Sequence, residues 1–413
     1  MRLVKFGVVG AGNIFIGAHL PGYRLCRNAV IKAIADLSEA RREYAYHKVI
    51  EAYEDKIKKL REAGEDLLAR EVKSMMDEFK VYSSYEEMIS KEGDLDVVDI
   101  CLPHRYHVEV AIASLKAGFH TMTEKPMARN YFEALKLVEA VKETKKYYQY
   151  NENWFFDIYH YSLKKILTKG ALGEVLFISY PAGHGGPENR TWFWEMEASG
   201  GGSLIDNGVH AIGGVWYLLG LEEYTPEAVK SLNPIGISIR IPWRMIRGVP
   251  KKVKVEDDAH IAVWFDNVNQ GGKASSMIEG SWSYVDAPRF MIVGSMGYLT
   301  VEKREGNTAE AKIVSGEGEY SIEIPVDPFS GFRGEIENMC HSVIDNQKPF
   351  SNESVGAEIQ AIMDAAYLSE IWGRRKVTMS EFKDFSEDFM KKHGEKAANE
   401  FLKMKMKHLI KRT

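Results

Sequence analysis

The sequence predicts an α/β protein in two parts: an N-terminal doubly wound parallel sheet, then a C-terminal α+β domain with a large, mostly antiparallel open sheet. Three observations carry this. An apolar run, Val4 to Val9, leads directly into Gly10-Ala11-Gly12-Asn13-Ile14-Phe15. Strand and helix patterns then alternate as far as residue 150, the signature of a parallel sheet with helical crossovers. Beyond it, several short stretches between residues 235 and 324 repeat apolar residues at every second position, as half-covered antiparallel strands do.

The bulk properties agree. A chain of 413 residues is long for one core, and 45% hydrophobic with 27% charged residues is ordinary globular composition. A net charge of −5 argues against an electrostatic nucleic-acid binder. No apolar run approaches the ~20 residues of a membrane span, and the N-terminus enters a strand without signal-peptide features, so a cytoplasmic protein is expected. Cys26, Cys101 and Cys340 lie far apart, giving neither a disulfide framework nor a zinc site. No metal is expected.

Taken in order, Val4 to Val9 reads as a strand buried on both faces. Gly10 and Gly12 permit a tight turn and close approach to a pyrophosphate at a helix N-terminus. Phe15 holds the position where a third small residue is usual, so the following helix should stand further from the sheet. A second strand, Val30 to Ala35, ends at Asp36, about twenty residues past the glycines, where a carboxylate accepts from ribose hydroxyls. That charge favours NAD(H), while Arg41 and Arg42 leave NADP(H) admissible. Residues 43–80 read as a helical hairpin broken at Gly64, with Tyr46, Ile50, Tyr53, Ile57 and Leu60 on one stripe and Leu67, Leu68, Val72, Met75 and Phe79 on the other; surface decoration is the expectation. Val97 to Leu102 is a strand closing at Pro103, a helix follows His107, and Phe119 to Thr123 is a strand closing at Glu124-Lys125-Pro126. Ligands bind at such carboxyl ends.

Further on, Ser199-Gly-Gly-Gly-Ser-Leu-Ile-Asp206-Asn207-Gly208-Val-His210 opens a helix. Asp206 and His210, four apart, would share a helix face. In isolation the pair serves equally as a surface hydrogen bond or as an acid/base dyad, and a metal reading lacks a third ligand.

The order GxGN, Asp36, LPxxxH, AGFHTMTEKPMA and GGGSLIDNGVH resembles the Gfo/Idh/MocA oxidoreductases over roughly residues 1–375. That resemblance implies a Rossmann domain over 1–150 carrying the 43–80 insertion, a substrate-binding and dimerisation domain over 151–375, and a helical extension over 376–413. It implies Lys125, Asp206 and His210 as the catalytic group: His210 as base, Lys125 at the developing alkoxide, Asp206 positioning substrate or orienting His210. It further implies Gly10, Gly12, Asn13, Ile14, Asp36, Pro103, His107, Glu124 and Lys125 at the nicotinamide cofactor. His104 stands where relatives often carry Asn. Two departures touch the substrate side. The segment Tyr150-Asn151-Glu152-Asn153-Trp154 lacks the family's frequent Arg, and the HxxD continuation is His210-Ala211-Ile212-Gly213, without the Asp.

In the second domain Ile235, Ile237, Ile239 and Ile241 alternate, as do Ala259, Ile261, Val263 and Phe265. Trp154, Trp192 and Asn207 are candidate substrate contacts for a sugar or cyclitol ring. Ala357 to Ile371 should pack back on the nucleotide domain. The Lys-rich segment 380–413 reads as a solvated or intersubunit helix. The open sheet is the expected surface of a homodimer or homotetramer. The resulting expectation is an NAD(P)-dependent oxidoreductase exchanging hydride with a secondary alcohol or carbonyl of a sugar, sugar derivative or cyclitol. The alternatives are an NAD-dependent glycosidase using transient sugar oxidation and a non-catalytic NAD-responsive sugar-binding regulator.

Overall fold

Val4–Val9 (β1) lies at the middle of a six-stranded sheet in the computed structural model, which describes residues 2–221, 229–268, 272–284, 290–303 and 306–412. Its partners are Ala29–Ala35 (β2), Lys80–Tyr82 (β3), Val97–Ile100 (β4), His120–Glu124 (β5) and Tyr148–Asn151 (β6). The strand order is β3-β2-β1-β4-β5-β6 and every pairing is parallel. The order reverses beside β1, which puts a switch point at the strand ends carrying Gly10 and Cys101. Edge strand β3 and the short helix Tyr85–Lys91 complete this sheet without a clear sequence signal, being too short and polar to show periodicity.

The helical hairpin forms as expected, with helices Glu39–Glu62 and Asp66–Asp77 on either side of Gly64. Its packed stripe differs from the expected one: Tyr46 and Leu67 are exposed, and Lys56 is buried. The Lys56 ammonium reaches the carbonyls of Tyr23, Cys26 and Ala29, at 3.2, 2.5 and 2.7 Å. The hairpin is therefore pinned into the nucleotide-domain core rather than laid over its surface.

A nine-stranded sheet forms the second layer. Its strands are Val175–Gly183 (β7), Val229–Ser238 (β8), Asp258–Val268 (β11), Gly272–Ser281 (β12), Met291–Gly294 (β13), Gly297–Lys303 (β14), Thr308–Ser315 (β15), Gly318–Pro325 (β16) and Val377–Thr378 (β17), while Trp243–Ile246 (β9) and Val249–Lys252 (β10) form a separate hairpin. Only the β12–β7 pairing is parallel. Ala259, Ile261, Val263 and Phe265 all point into the core, as their alternation predicts. The isoleucine alternation in β8 fails at Ile235, which is exposed. His260 pairs with Gly236 and Ile261 with Pro234, so Ile235 is the extra residue of a bulge and loses its inward direction.

Helix Val209–Leu218 crosses the inner face of this sheet, and helix Glu353–Ile371 packs between the sheet and the nucleotide-domain helix Tyr131–Thr144. The C-terminal segment is not solvated. Helices Met379–His393 and Ala397–Lys411 bury Phe382, Phe401, Leu402, Leu409 and even Lys405 against the same chain. Among the described residues no helix is long and apolar enough to cross a membrane.

Candidate active site

The cofactor end is built by the glycine turn. Gly10 has φ of 101°, and a Cβ there would lie 2.5 Å from the carbonyl of Cys101, so only glycine lets β1 and β4 close so tightly at the switch point. A Cβ at Gly12 would meet nothing within 4 Å; its open side faces a groove lined by Ala11, Asn13, Ile16, Arg41 and Tyr44. The Asp36 carboxylate is tied to the turn, accepting from Ala11 N at 2.9 Å and Ser38 N at 2.8 Å. Arg42 turns back onto the Asp36 carbonyl at 2.7 Å. These features fit a dinucleotide. Ile14 is partly buried and packs against the β1–β2 core. At position 15 the phenylalanine is accommodated by a wide i→i+5 turn over Phe15–His19, which buries its ring completely. Pro103 leads the turn His104–Tyr106, and the His107 ring ties the carbonyls of Leu102 and Pro126, each 2.8 Å from a ring nitrogen.

Lys125 and Asp206 meet across the two layers. Lys125 Nζ donates to the Asp206 carbonyl at 2.9 Å and to its Oδ1 at 3.1 Å. Asp206 Oδ2 accepts from Trp282 Nε1 at 3.1 Å and lies 3.4 Å from His184 Nε2. Burial alone would raise the Asp206 carboxyl, but the Lys125 ammonium and the His184 ring outweigh it and hold the group far below the carboxylate range. Asp206 is thus a fixed anion.

Asp206 does not orient His210. Residues Leu204–Gly208 form a second i→i+5 turn, which takes Asp206 off the face that an α-helical i, i+4 spacing would give it. The partner of His210 is Glu152, whose Oε1 lies 2.6 Å from His210 Nδ1. Glu152 is fully buried at the carboxyl end of β6. A Cβ at Gly213 would lie 2.8 Å from Glu152 Cγ. The Glu152 side chain thus occupies the space that a side chain at Gly213 would need. With Nδ1–H donating to Glu152, the lone pair of His210 is on Nε2.

The expected substrate residues, Trp154, Trp192 and Asn207, each have partners within the chain. Trp154 stacks on the His210 ring (5.0 Å between centroids, 25°) and also on His160 and Tyr180, so it supports the His210 ring. Asn207 is buried and its amide donates to Ser281 O at 3.1 Å, fastening the turn to β12. Trp192 stacks on Phe193 and meets the edge of His104 at 4.7 Å. His104 donates from Nδ1 to Ser199 O at 2.8 Å, and burial, with His107 beside it, pulls its pKa well down. His184, at the end of β7, was missed; the rule that put Lys125 at a strand end does not extend to a strand without alternation.

A buried ionic layer lies beneath Lys125. His19 is held between Asp99 Oδ2 at 2.9 Å and Glu124 Oε1 at 2.8 Å, and Tyr23 donates to the same Asp99 oxygen. Burial would lower the His19 pKa, but Asp99 and the hydrogen bonds raise it well above its ordinary value, giving an imidazolium. Glu124 Oε2 in turn accepts from Lys125 N at 3.1 Å. Phe15, His19 and Tyr23 repeat every fourth residue, and this buried stripe is the signal that marks His19 in the sequence.

A nucleotide-binding sheet whose strand ends meet a lysine and a carboxylate–histidine pair defines an oxidoreductase of the Rossmann class. The family model described as "Oxidoreductase family, NAD-binding Rossmann fold" matches residues 4–152, and the Gfo/Idh/MocA C-terminal domain model matches residues 160–300; the chain belongs to the Gfo/Idh/MocA family. It is 34% identical to D-glucoside 3-dehydrogenase of Escherichia coli (strain K12) over 139 residues, 33% of this chain and 38% of that protein. It is 29% identical to levoglucosan dehydrogenase of Pseudarthrobacter phenanthrenivorans over 224 residues, 51% of this chain and 56% of that one. These alignments span between a third and somewhat over half of the relatives' lengths. A levoglucosan dehydrogenase structure with NADH and levoglucosan shares the fold over 92% of this chain and 100% of that chain, with a TM-score of 0.72 and 19% identity.

Two outcomes follow from this geometry. Replacing His19→Gln strands two buried carboxylates and costs about 3–5 kcal/mol in urea unfolding. Because the folded His19 pKa is raised, its contribution is complete below the unfolded value near 6.5 and fades as pH rises through the folded value. The gap between the two proteins should therefore narrow with increasing pH, and a gap that widens would refute the imidazolium. Asp36→Asn should weaken NADH binding roughly tenfold, the worth of one charge-assisted hydrogen bond, in a fluorescence titration; unchanged affinity would remove Asp36 from the cofactor site.

Proposed function

We propose that this chain is an NAD(H)-dependent dehydrogenase acting on a secondary alcohol or carbonyl of a sugar, sugar derivative or cyclitol. The observation that carries the reading is the presence of two pairs, His210–Glu152 and Lys125–Asp206, with Glu124 within electrostatic reach of both His210 and Lys125, at the carboxyl ends of a nucleotide-binding sheet. The nicotinamide, when bound, supplies the hydride acceptor. His210 Nε2 takes the proton of the substrate hydroxyl while Nδ1–H stays on Glu152. Lys125 holds the oxygen as negative charge develops, and Asp206 keeps the ammonium in place. Asp36 at the ribose end supports NAD(H) over NADP(H). The names of the two curated relatives, a glucoside and an anhydrosugar dehydrogenase, support a pyranose-like substrate.

The reading is tested by incubating the protein with NAD+ and a panel of glycosides, anhydrosugars, aldoses and inositols, following NADH absorbance. Turnover of one class is expected, and silence across the panel counts against a dehydrogenase. Hydrolysis of a nitrophenyl glycoside without net NADH would replace it with the glycosidase reading. Glu152→Ala removes the acceptor that holds Nδ1–H, so kcat should fall roughly 10²–10⁴-fold with NADH affinity unchanged. Gly213→Asp alone should also be inactive, because the new side chain meets Glu152 Cγ. Combining Gly213→Asp with Glu152→Gly should recover part of the rate; no recovery would mean that Glu152 does not stand in for the helix carboxylate.

The uncovered face of the large sheet supports self-association. Trp264 and Tyr298 are exposed there, beside the partly covered Phe177, Met277, Met291 and Val293. An exposed apolar face is a feature that self-association would cover. Met277→Glu should lower the molar mass in sedimentation equilibrium; an unchanged mass would locate any oligomer contact elsewhere.

A further inference from the structure

A continuous set of buried contacts joins the C-terminal helix Ala397–Lys411 to both halves of the candidate site. Lys405 is 1% exposed, and its ammonium lies 3.0 Å from Asp364 Oδ1 and 4.1 Å from the centre of the Tyr367 ring. Asp364 Oδ2 accepts from Tyr131 N at 2.6 Å, the first amide of the helix that follows the Glu124-Lys125-Pro126 turn. Tyr367 OH donates to Glu256 Oε1 at 2.6 Å. The same Glu256 oxygen accepts from Gly202 N at 2.8 Å and Leu204 N at 3.0 Å, at the start of the wide turn that carries Asp206.

The sequence explains why this segment is glycine. A Cβ at Gly202 would lie 1.8 Å from the Glu256 carbonyl, and one at Gly201 would lie 2.2 Å from Tyr367 OH. The glycines are closed around Glu256 and Tyr367. Phe401 packs on Phe132 at 5.4 Å, and Asn130 donates to the Ala398 carbonyl at 3.4 Å, so the helix grips the Lys125 side as well. The helix lies beyond the residues that the two family models match.

We propose that the C-terminal helix is a brace that sets the distance between Lys125 and Asp206, with Lys405, Asp364, Tyr367 and Glu256 as positioning residues. Asp364 anchors the element behind Lys125, and Glu256 anchors the turn under Asp206. Lys405 holds Asp364 and the Tyr367 ring together as one unit. A displacement of about 1 Å at reacting groups costs up to ~10²-fold in rate, which is the scale on which a brace acts. The proposal rests on the dehydrogenase reading for its kinetic consequence, but not for its structural one.

The test compares Tyr367→Phe, Lys405→Met and Lys405→Arg in the full-length protein, with exposed Lys407→Met as control. Tyr367→Phe removes a single oxygen and carries the test should Lys405→Met fail to fold. Tyr367→Phe and Lys405→Met should each lower kcat between about 10- and 100-fold, with NADH affinity within about twofold. Lys405→Arg should recover most of the rate. Amide exchange measured by mass spectrometry should quicken in the peptide spanning residues 200–210 and stay unchanged in the glycine turn at 10–17. A lower melting temperature with unchanged kcat and unchanged exchange at 200–210 would reduce the network to a stabiliser and overturn the proposal. If the parent turns over no sugar, the dehydrogenase reading falls by itself. The exchange data then still decide the brace: faster exchange at 200–210 supports it and unchanged exchange overturns it.

Discussion

The site depends on one steric exchange. Gly213 leaves a gap on the helix that bears His210, and the Glu152 side chain fills it. The carboxylate that holds the imidazole therefore comes from the nucleotide sheet, while the imidazole itself comes from the large sheet's helix. A hydrogen bond of 2.6 Å across that boundary means the tautomer of His210 is set by how the two layers dock. Lys125 and Asp206 repeat the arrangement, one partner from each layer. Both pairs therefore form only when the layers come together, and chemistry is tied to tertiary structure instead of to any local motif.

Electrostatics follow the same division. Above, the Lys125 ammonium keeps Asp206 ionised in a buried position. Below, the His19 imidazolium does so for Glu124, whose carboxylate receives the Lys125 amide. The sheet's carboxyl end is layered, cation over anion over cation, with Asp99 and Tyr23 closing the lower side. Buried charges are tolerated because each has a partner within hydrogen-bond distance. This leaves little freedom for rotamer changes at Glu124, and so a rigid floor under the lysine.

Much of the architecture was legible because its signals are local. The glycine turn, Asp36, and the ends of β4 and β5 followed from strand runs and turn residues. The alternation of Ala259 to Phe265 located a central strand. What escaped depends on distance or on a register. Ile235 was read by parity, and a bulge against β11 undid the parity. The spacing of Asp206 and His210 assumed α-helical geometry where the turn is wider. The C-terminal lysines were counted as solvated charge, yet Lys405 falls between Phe401 and Leu409 on a four-residue stripe, and the stripe decides burial. Glu152 and His184 carry no local pattern; only the pairing of β6 and β7 with distant strands brings them to the site.

Lys56 gives the hairpin of residues 39–77 a mechanical character. The helix Glu39–Glu62 contributes Ala40, Arg41 and Tyr44 to the groove wall at one end, and three turns later its lysine is clamped by the carbonyls of Tyr23, Cys26 and Ala29, between the helix that leaves the glycine turn and β2. One rigid rod thus touches the nucleotide groove and grips the element on which that groove is built. Any free energy that couples nucleotide binding at Tyr44 or Arg41 to the docking of the rod acts equally in both directions. The insertion is a structural member of the domain, anchored through Lys56 in its interior.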